Sequence, residues 1–145
     1  MVTEDTQIGN WLVRCVSGDG RVETCFTVTN AIHASEQREL ALLEVIRVAE
    51  DDRQDDEEFA AQLTSPTNVN VRAGIEVRVD QVLVEMVPYE VCTVRSCLTT
   101  FPLYPDTIDA LSNGFTAALI FVDAAGTPVS ATLSLDGFAR ALELL

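Results

Sequence analysis

Apolar and polar residues alternate with period two along much of this chain. Val129, Ala131, Leu133 and Leu135 share one parity, and Ser130, Thr132 and Ser134 take the other. Such alternation marks a strand with one buried and one wet face. Thr116 to Val122 forms a second strand before it, and the turn residues between Asp123 and Pro128 join the two as a hairpin. A further hairpin is predicted nearer the N-terminus. Residues 11–16 are apolar and β-branched, Ser17-Gly18-Asp19-Gly20 signals a turn, and Val22, Thr24, Phe26 and Val28 then alternate with Glu23, Cys25, Thr27 and Thr29. Ile75, Val77 and Val79 alternate with Glu76, Arg78 and Asp80. Val82, Val84 and Met86 carry the alternation beyond Gln81 to a stop at Pro88-Tyr89.

Helical signals are fewer. Residues 136–144 read as a short helix capped by Asp136. Thr107 to Ser112 reads as one or two helical turns, stopped by Asn113-Gly114. Residues 39–49 are ambiguous: Ala, Leu and Glu favour helix, while Leu40, Leu42, Ile46 and Val48 fit a strand whose apolar face Glu44 interrupts. Many short strands separated by turns predict an all-β sandwich or barrel. Residues 1–145 are expected to form a single domain, with 1–9 disordered.

Charge narrows the partners. Asp and Glu number 23 against 9 basic residues, all of them Arg, for a net charge of −14. Nucleic-acid affinity comes from neutralising phosphates with cations, so this balance excludes that class. It also disfavours an anionic membrane surface. The hydrophobic fraction is 48% and the mean hydropathy +0.20, too apolar for intrinsic disorder. No run of 18 apolar residues offers a membrane span. The segment Glu50–Glu58 holds seven acids against Arg53 and so supplies −6 of the −14. Like charges this dense stay solvated, and the segment is read as a surface loop.

Four cysteines fall in two local pairs, Cys15 with Cys25 and Cys92 with Cys97. Three connectivities are possible, and loop-closure entropy favours the local one. Each bridge then contributes roughly 2–3 kcal/mol on the chain-entropy model. The rival readings are a zinc site and free thiols. Zinc ligands usually come as C-x2–4-C pairs or with paired histidines, whereas the spacings here are C-x9-C and C-x4-C and His33 is the only histidine. Disulfides imply an oxidising compartment. The N-terminus has neither the basic nor the apolar region of a signal peptide, so the expectation is a mature periplasmic or secreted form without its signal.

Catalytic machinery is not expected. Serine and cysteine nucleophiles need a base, there is no Lys, and no motif surrounds His33, which reads as an ordinary surface or loop histidine. Cofactor and metal sites are not expected either. The acidic run could attract Ca2+ but lacks the Asp-x-Asp-x-Asp-Gly spacing. Trp11, Tyr89 and Tyr104 could make a carbohydrate platform, although scattered aromatics more often fill a core.

Four features taken in order resemble the invasion-associated locus B family of bacterial extracytoplasmic proteins. They are Trp11-x-Val13-x-Cys15 with Cys25; the stretch from Pro66 to Val79-Asp80; Tyr89-x-x-Cys92-x4-Cys97; and Ser134-Leu135-x-Gly137-Phe138-x-x-Ala141-Leu142. The resemblance runs from Trp11 to Leu145. Ser96 stands where the family usually has Gly before the last cysteine. The resemblance implies an immunoglobulin-like β-sandwich of about 8–9 antiparallel strands with a short C-terminal helix. It favours strand over helix for residues 39–49. It also implies export by a Gram-negative bacterium and, from the founding members, a link to invasion of host cells. No catalytic residues come with it. The expected function is non-enzymatic protein binding in host interaction or the envelope, with a cationic partner surface favoured. A small-ligand or calcium-binding periplasmic module is the alternative.

Overall fold

A computed structural model describes residues 2–17, 24–53 and 57–145. The turn expected at Ser17-Gly18-Asp19-Gly20 and the centre of the acidic run lie largely outside the described residues. Among the described residues eleven antiparallel strands form one curled sheet, with two short α-helices and two 3-10 turns. They are β1 (Val2–Ile8), β2 (Trp11–Ser17), β3 (Thr24–His33), β4 (Glu39–Arg47), β5 (Phe59–Ser65), β6 (Ile75–Val79), β7 (Val82–Val87), β8 (Val91–Cys92), β9 (Cys97–Leu103), β10 (Thr116–Val122) and β11 (Pro128–Ser134). Helix α1 (Pro105–Asn113) precedes β10, and α2 (Phe138–Glu143) follows β11.

The long strand β3 makes the sheet curl. One of its edges pairs with β4 from Phe26 to Ile32. The other edge is shared: β2 pairs with Thr24–Val28, and β11 pairs with Ile32–His33. The sheet therefore runs β7-β6-β10-β11 on one side of β3 and β4-β5-β9-β8 on the other, with the β1–β2 hairpin branching off. The two sides close over a core filled by Trp11, Val45, Leu63, Ile75, Leu119, Phe121 and Phe138. This is the all-β architecture that the alternation predicts and roughly the sandwich that the resemblance implies, with eleven strands in place of about 8–9 because β1 and the two-residue β8 add to the count. The C-terminal hairpin follows its pattern: Ala117, Leu119 and Phe121 face inward opposite Leu133, Ala131 and Val129.

Four expectations change. Residues 1–9, expected to be disordered, include β1, paired with β2 along its whole length and held at Arg14 Nε–Asp5 Oδ1 (2.8 Å). Its β-branched residues suit a strand, and a two-residue turn led by Gly9 (φ +58°) returns the chain. Residues 39–47 are a strand, but the buried face is Ala41, Leu43 and Val45, not the even positions. Glu44 lies on the outer face with Leu42 and Ile46, so the residue that looks like an interruption marks the wet side. The stretch 75–87 is two strands, reversed at Asp80–Gln81, where both residues have positive φ (48° and 74°). Asp136 does not cap α2: Gly137 is the N-cap (φ +92°), and the Asp136 carbonyl accepts the Asn10 N–H at 3.0 Å. Helix α1 begins at Pro105, whose missing N–H costs nothing at a first-turn position.

Candidate functional site

The cysteines and the terminal sequence pattern assemble into structural devices. Cys15 lies directly opposite Cys25 on β2–β3, and Cys92 directly opposite Cys97 on β8–β9. Both pairs are disulfides. Trp11 is wholly buried, stacks edge-on against Phe138 at 5.0 Å, and donates from Nε1 to the Ser134 carbonyl at 3.1 Å. Leu135, Ala141 and Leu142 are buried around that pair. The β1–β2 turn approaches the β11–α2 turn so closely that a Cβ on Gly137 would overlap the Ile8 carbonyl oxygen. Gly137 is thus required by its φ and by the contact. The terminal motif is a clamp between the N-terminal hairpin and α2.

Asp80 and Tyr89 are structural too. The Asp80 carboxylate accepts the backbone N–H groups of Phe115 and Thr116 at 3.0–3.2 Å, which ties the β6–β7 turn to the start of β10. Tyr89 is half-buried between β7 and β8, and its hydroxyl has no partner among the described residues. Burial favours the neutral phenol and pushes its pKa up to about 12 from 10.0. The unfolded chain releases that proton near 10, so the associated stability is intact below pH 10 and is lost as pH rises from about 10 through 12. Tyr89→Phe is expected to abolish this alkaline loss and to raise stability by up to about 1 kcal/mol. Chemical denaturation at pH 8 and at pH 11 checks both; a steeper alkaline loss in the variant would contradict the assignment. Trp11 is buried, so Trp11, Tyr89 and Tyr104 form no exposed aromatic platform.

The described ends of the acidic segment, a 3-10 turn at Glu50–Asp52 and the residues from Glu57 onward, are tied to β4 and β5. Val48 N–H donates to the Glu58 carbonyl (2.8 Å), Arg53 Nε donates to the Val48 carbonyl (2.9 Å), and Arg47 pairs with Glu58 (2.7 Å). Arg47 also stacks over Phe59 at 4.6 Å. Glu57 accepts from the Tyr104 hydroxyl at 3.4 Å. Among the described residues no three His, Cys, Asp or Glu side chains gather as metal ligands.

A concave site lies where the β3–β4 connection, the chain after β5 and the β10–β11 turn converge. It encloses about 290 Å³. Leu40, Val69, Phe121 and Val129 supply apolar walls, and His33, Arg38, Asn68 and Asp123 supply polar groups. Around Arg38, Leu40 and Pro66 it continues into a shallower depression of about 450 Å³ that reaches Arg95 and Ser96 in the β8–β9 turn. The local chain fixes the polar groups. Val69 bridges to Asp123, and Asn70 N–H donates to the Val122 carbonyl at 2.7 Å. Asp123 Oδ1 accepts the N–H groups of Ala125 (3.0 Å) and Thr127 (2.8 Å), an Asx-type turn. Glu36 Oε2 holds Arg38 Nε at 2.9 Å and lies 3.3 Å from His33 Nε2.

Ser35, His33 and Glu36 have the order of a nucleophile, a base and an orienting carboxylate, with Ser35 Oγ 3.3 Å from His33 Nδ1. Their geometry is that of a turn. The Nδ1 lone pair already accepts the backbone N–H groups of Ser35 (3.2 Å) and Glu36 (3.1 Å), which places the ring proton on Nε2 toward Glu36. A base that shares one lone pair with two amides is poorly placed to take a hydroxyl proton. No sequence pattern joins the residues of this cleft, because His33 ends β3 while Arg38, Asn68 and Asp123 come from three separate connections. The Asp123-Ala-Ala-Gly-Thr turn was its only local signal.

The family model for invasion associated locus B (IalB) protein matches residues 11–145. The crystal structure of invasion associated protein b from Bartonella henselae aligns with a TM-score of 0.73 at 20% identity, over 99% of this chain and 94% of that one. At that identity the likeness shows the fold. No curated protein matches the sequence.

Proposed function

This chain belongs to the invasion associated locus B family, and on that premise we propose that it is an extracytoplasmic, non-enzymatic binding domain whose partner is a protein with a cationic surface. Two disulfides fit an oxidising compartment such as a periplasm or the exterior. Among the described residues no helix is long and apolar enough to cross a membrane.

The observation that carries the partner reading is the use of the arginines. Arg14, Arg38, Arg47 and Arg78 are paired with Asp5, Glu36, Glu58 and Glu76. Arg53 is bonded back onto its own loop. Five of the nine Arg are thus engaged by near neighbours, and the net charge of −14 sets the outward field. Such a field steers cationic surfaces and repels anionic ones.

The test is cross-linking in intact envelopes or host-cell surfaces, followed by association kinetics with the captured protein. The rate is expected to fall at least about tenfold between 0.01 M and 0.15 M salt, as the screening length drops from about 30 to 8 Å. Neutralising Asp51, Asp52, Glu57 and Glu58 to their amides should reproduce much of that fall. A salt-independent rate, or an acidic partner surface, would overturn the reading.

A further inference from the structure

We propose that the cleft at the β3–β4 and β10–β11 turns binds a small zwitterion that carries an ammonium, a carboxylate and an apolar body. Free apolar amino acids and short apolar peptides are the two sources of that chemistry. The inference is independent of the cationic-partner reading, because it rests on Asp123 and on Arg38, whose guanidinium also pairs with Glu36.

Two charged side chains of the cleft have hydrogen-bonding capacity left over. Arg38 gives Nε to Glu36, and its two Nη groups have no partner among the described residues. Asp123 spends Oδ1 on the Ala125 and Thr127 amides, and Oδ2 has no partner among the described residues. Arg38 and Asp123 line the same cleft yet form no ion pair with each other. Each side chain is tied at one atom by neighbours, Asp123 by two turn amides and Arg38 by an exposed ion pair with Glu36, which narrows its rotamers before any ligand arrives. Such preorganisation lowers the ordering cost of binding. A guanidinium offers donors that match a carboxylate, and a carboxylate accepts from an ammonium.

The walls add the third element. Leu40, Val69 and Val129 face the cleft together with the buried ring of Phe121. An apolar lining with a few fixed polar groups is the usual make-up of a small-molecule site. A volume of about 290 Å³ sits at the lower end of such sites, which restricts the ligand to roughly the size of an amino acid or dipeptide. The continuation toward Arg95 gives a longer peptide room to extend past Arg38.

Calorimetric titration of the full chain with leucine, Leu-Leu dipeptide, 4-methylpentanoate and isoamylamine tests the proposal. At least one of the two zwitterions is expected to bind with a Kd on the order of a millimolar or tighter. The carboxylate-only and amine-only analogues should bind at least about tenfold more weakly. Binding by leucine alone or by the dipeptide alone supports the proposal and identifies the source through the spacing of its charges. Asp123→Asn keeps the acceptor that the turn amides need and removes the charge. Arg38→Gln removes the guanidinium from an exposed position. Each should weaken zwitterion binding about tenfold while leaving thermal unfolding unchanged. The proposal is overturned if neither zwitterion binds up to about 10 mM. It is also overturned if a single-charge analogue binds as well as the zwitterion, or if both variants, shown to be folded, bind like the parent.

Discussion

Trp11→Ala is expected to lower the unfolding free energy by about 3–5 kcal/mol, the range for removing a buried aromatic side chain. The side chain is fully buried and packs edge-on against Phe138, so truncation leaves a cavity between β2 and α2 rather than a surface dent. The indole N–H also satisfies the Ser134 carbonyl. Its loss leaves that acceptor without its donor at the point where β11 hands over to α2. Surrounding backbone cannot collapse into the space cheaply. Gly9 and Gly137 already bring the two turns to contact distance, and Asn10 N–H is bonded to the Asp136 carbonyl. Trp11→Phe separates the two contributions. It keeps an aromatic ring against Phe138 but removes the N–H and part of the ring system, and should lose roughly 1 kcal/mol from the hydrogen bond plus a packing loss smaller than that of the alanine variant. Urea unfolding of both variants measures this. A loss below about 1 kcal/mol for the alanine variant would mean that the clamp does not couple the hairpin to the helix.

What was legible in the sequence follows from what local pattern can encode. Period-two alternation identified the C-terminal hairpin, and short loops identified the cysteine partners, because both depend on neighbours along the chain. The buried face of β4 was misread, because Leu42 and Ile46 are more hydrophobic than Ala41 yet lie outward. Burial there is set by the register with Leu63 and Ala61 on β5, which no local scale contains. The reversal at Asp80–Gln81 did leave a trace. The apolar positions are odd through 75, 77 and 79 and even through 82, 84 and 86, a change of parity that one continuous strand cannot make. It was missed because neither residue is Gly, and non-Gly residues rarely take positive φ. The carboxylate of Asp80 compensates by binding two amides 35 and 36 residues away. The cleft was illegible for a further reason: its polar groups sit in connections, where no periodicity applies, and only the curl of the sheet around β3 brings them together.

Reducing both disulfides is expected to cost about 5 kcal/mol in total. The bridges close sequence separations of 10 and 5 residues, worth roughly 2–3 kcal/mol each on the chain-entropy model. Their local consequences should differ. Cys15–Cys25 joins two strands that are also paired from Leu12 to Val16, so β2 and β3 keep their ladder when it opens. Cys92–Cys97 holds β8, which has only two residues and two ladder partners. The Thr93–Ser96 turn bonds alone are a weak substitute. Replacing Cys92 and Cys97 by Ser should therefore release β8 in hydrogen exchange before the rest of the sheet, while the Cys15/Cys25 double variant should shift the global urea midpoint. Equal exchange rates across β8 in the presence and absence of reductant would contradict this division. A domain of this size has about 5–15 kcal/mol of stability in all. At the low end of that range a loss near 5 kcal/mol would bring the reduced chain to the unfolding threshold, and at the high end it would not, so the urea midpoint of the reduced chain also places the stability of the oxidised one.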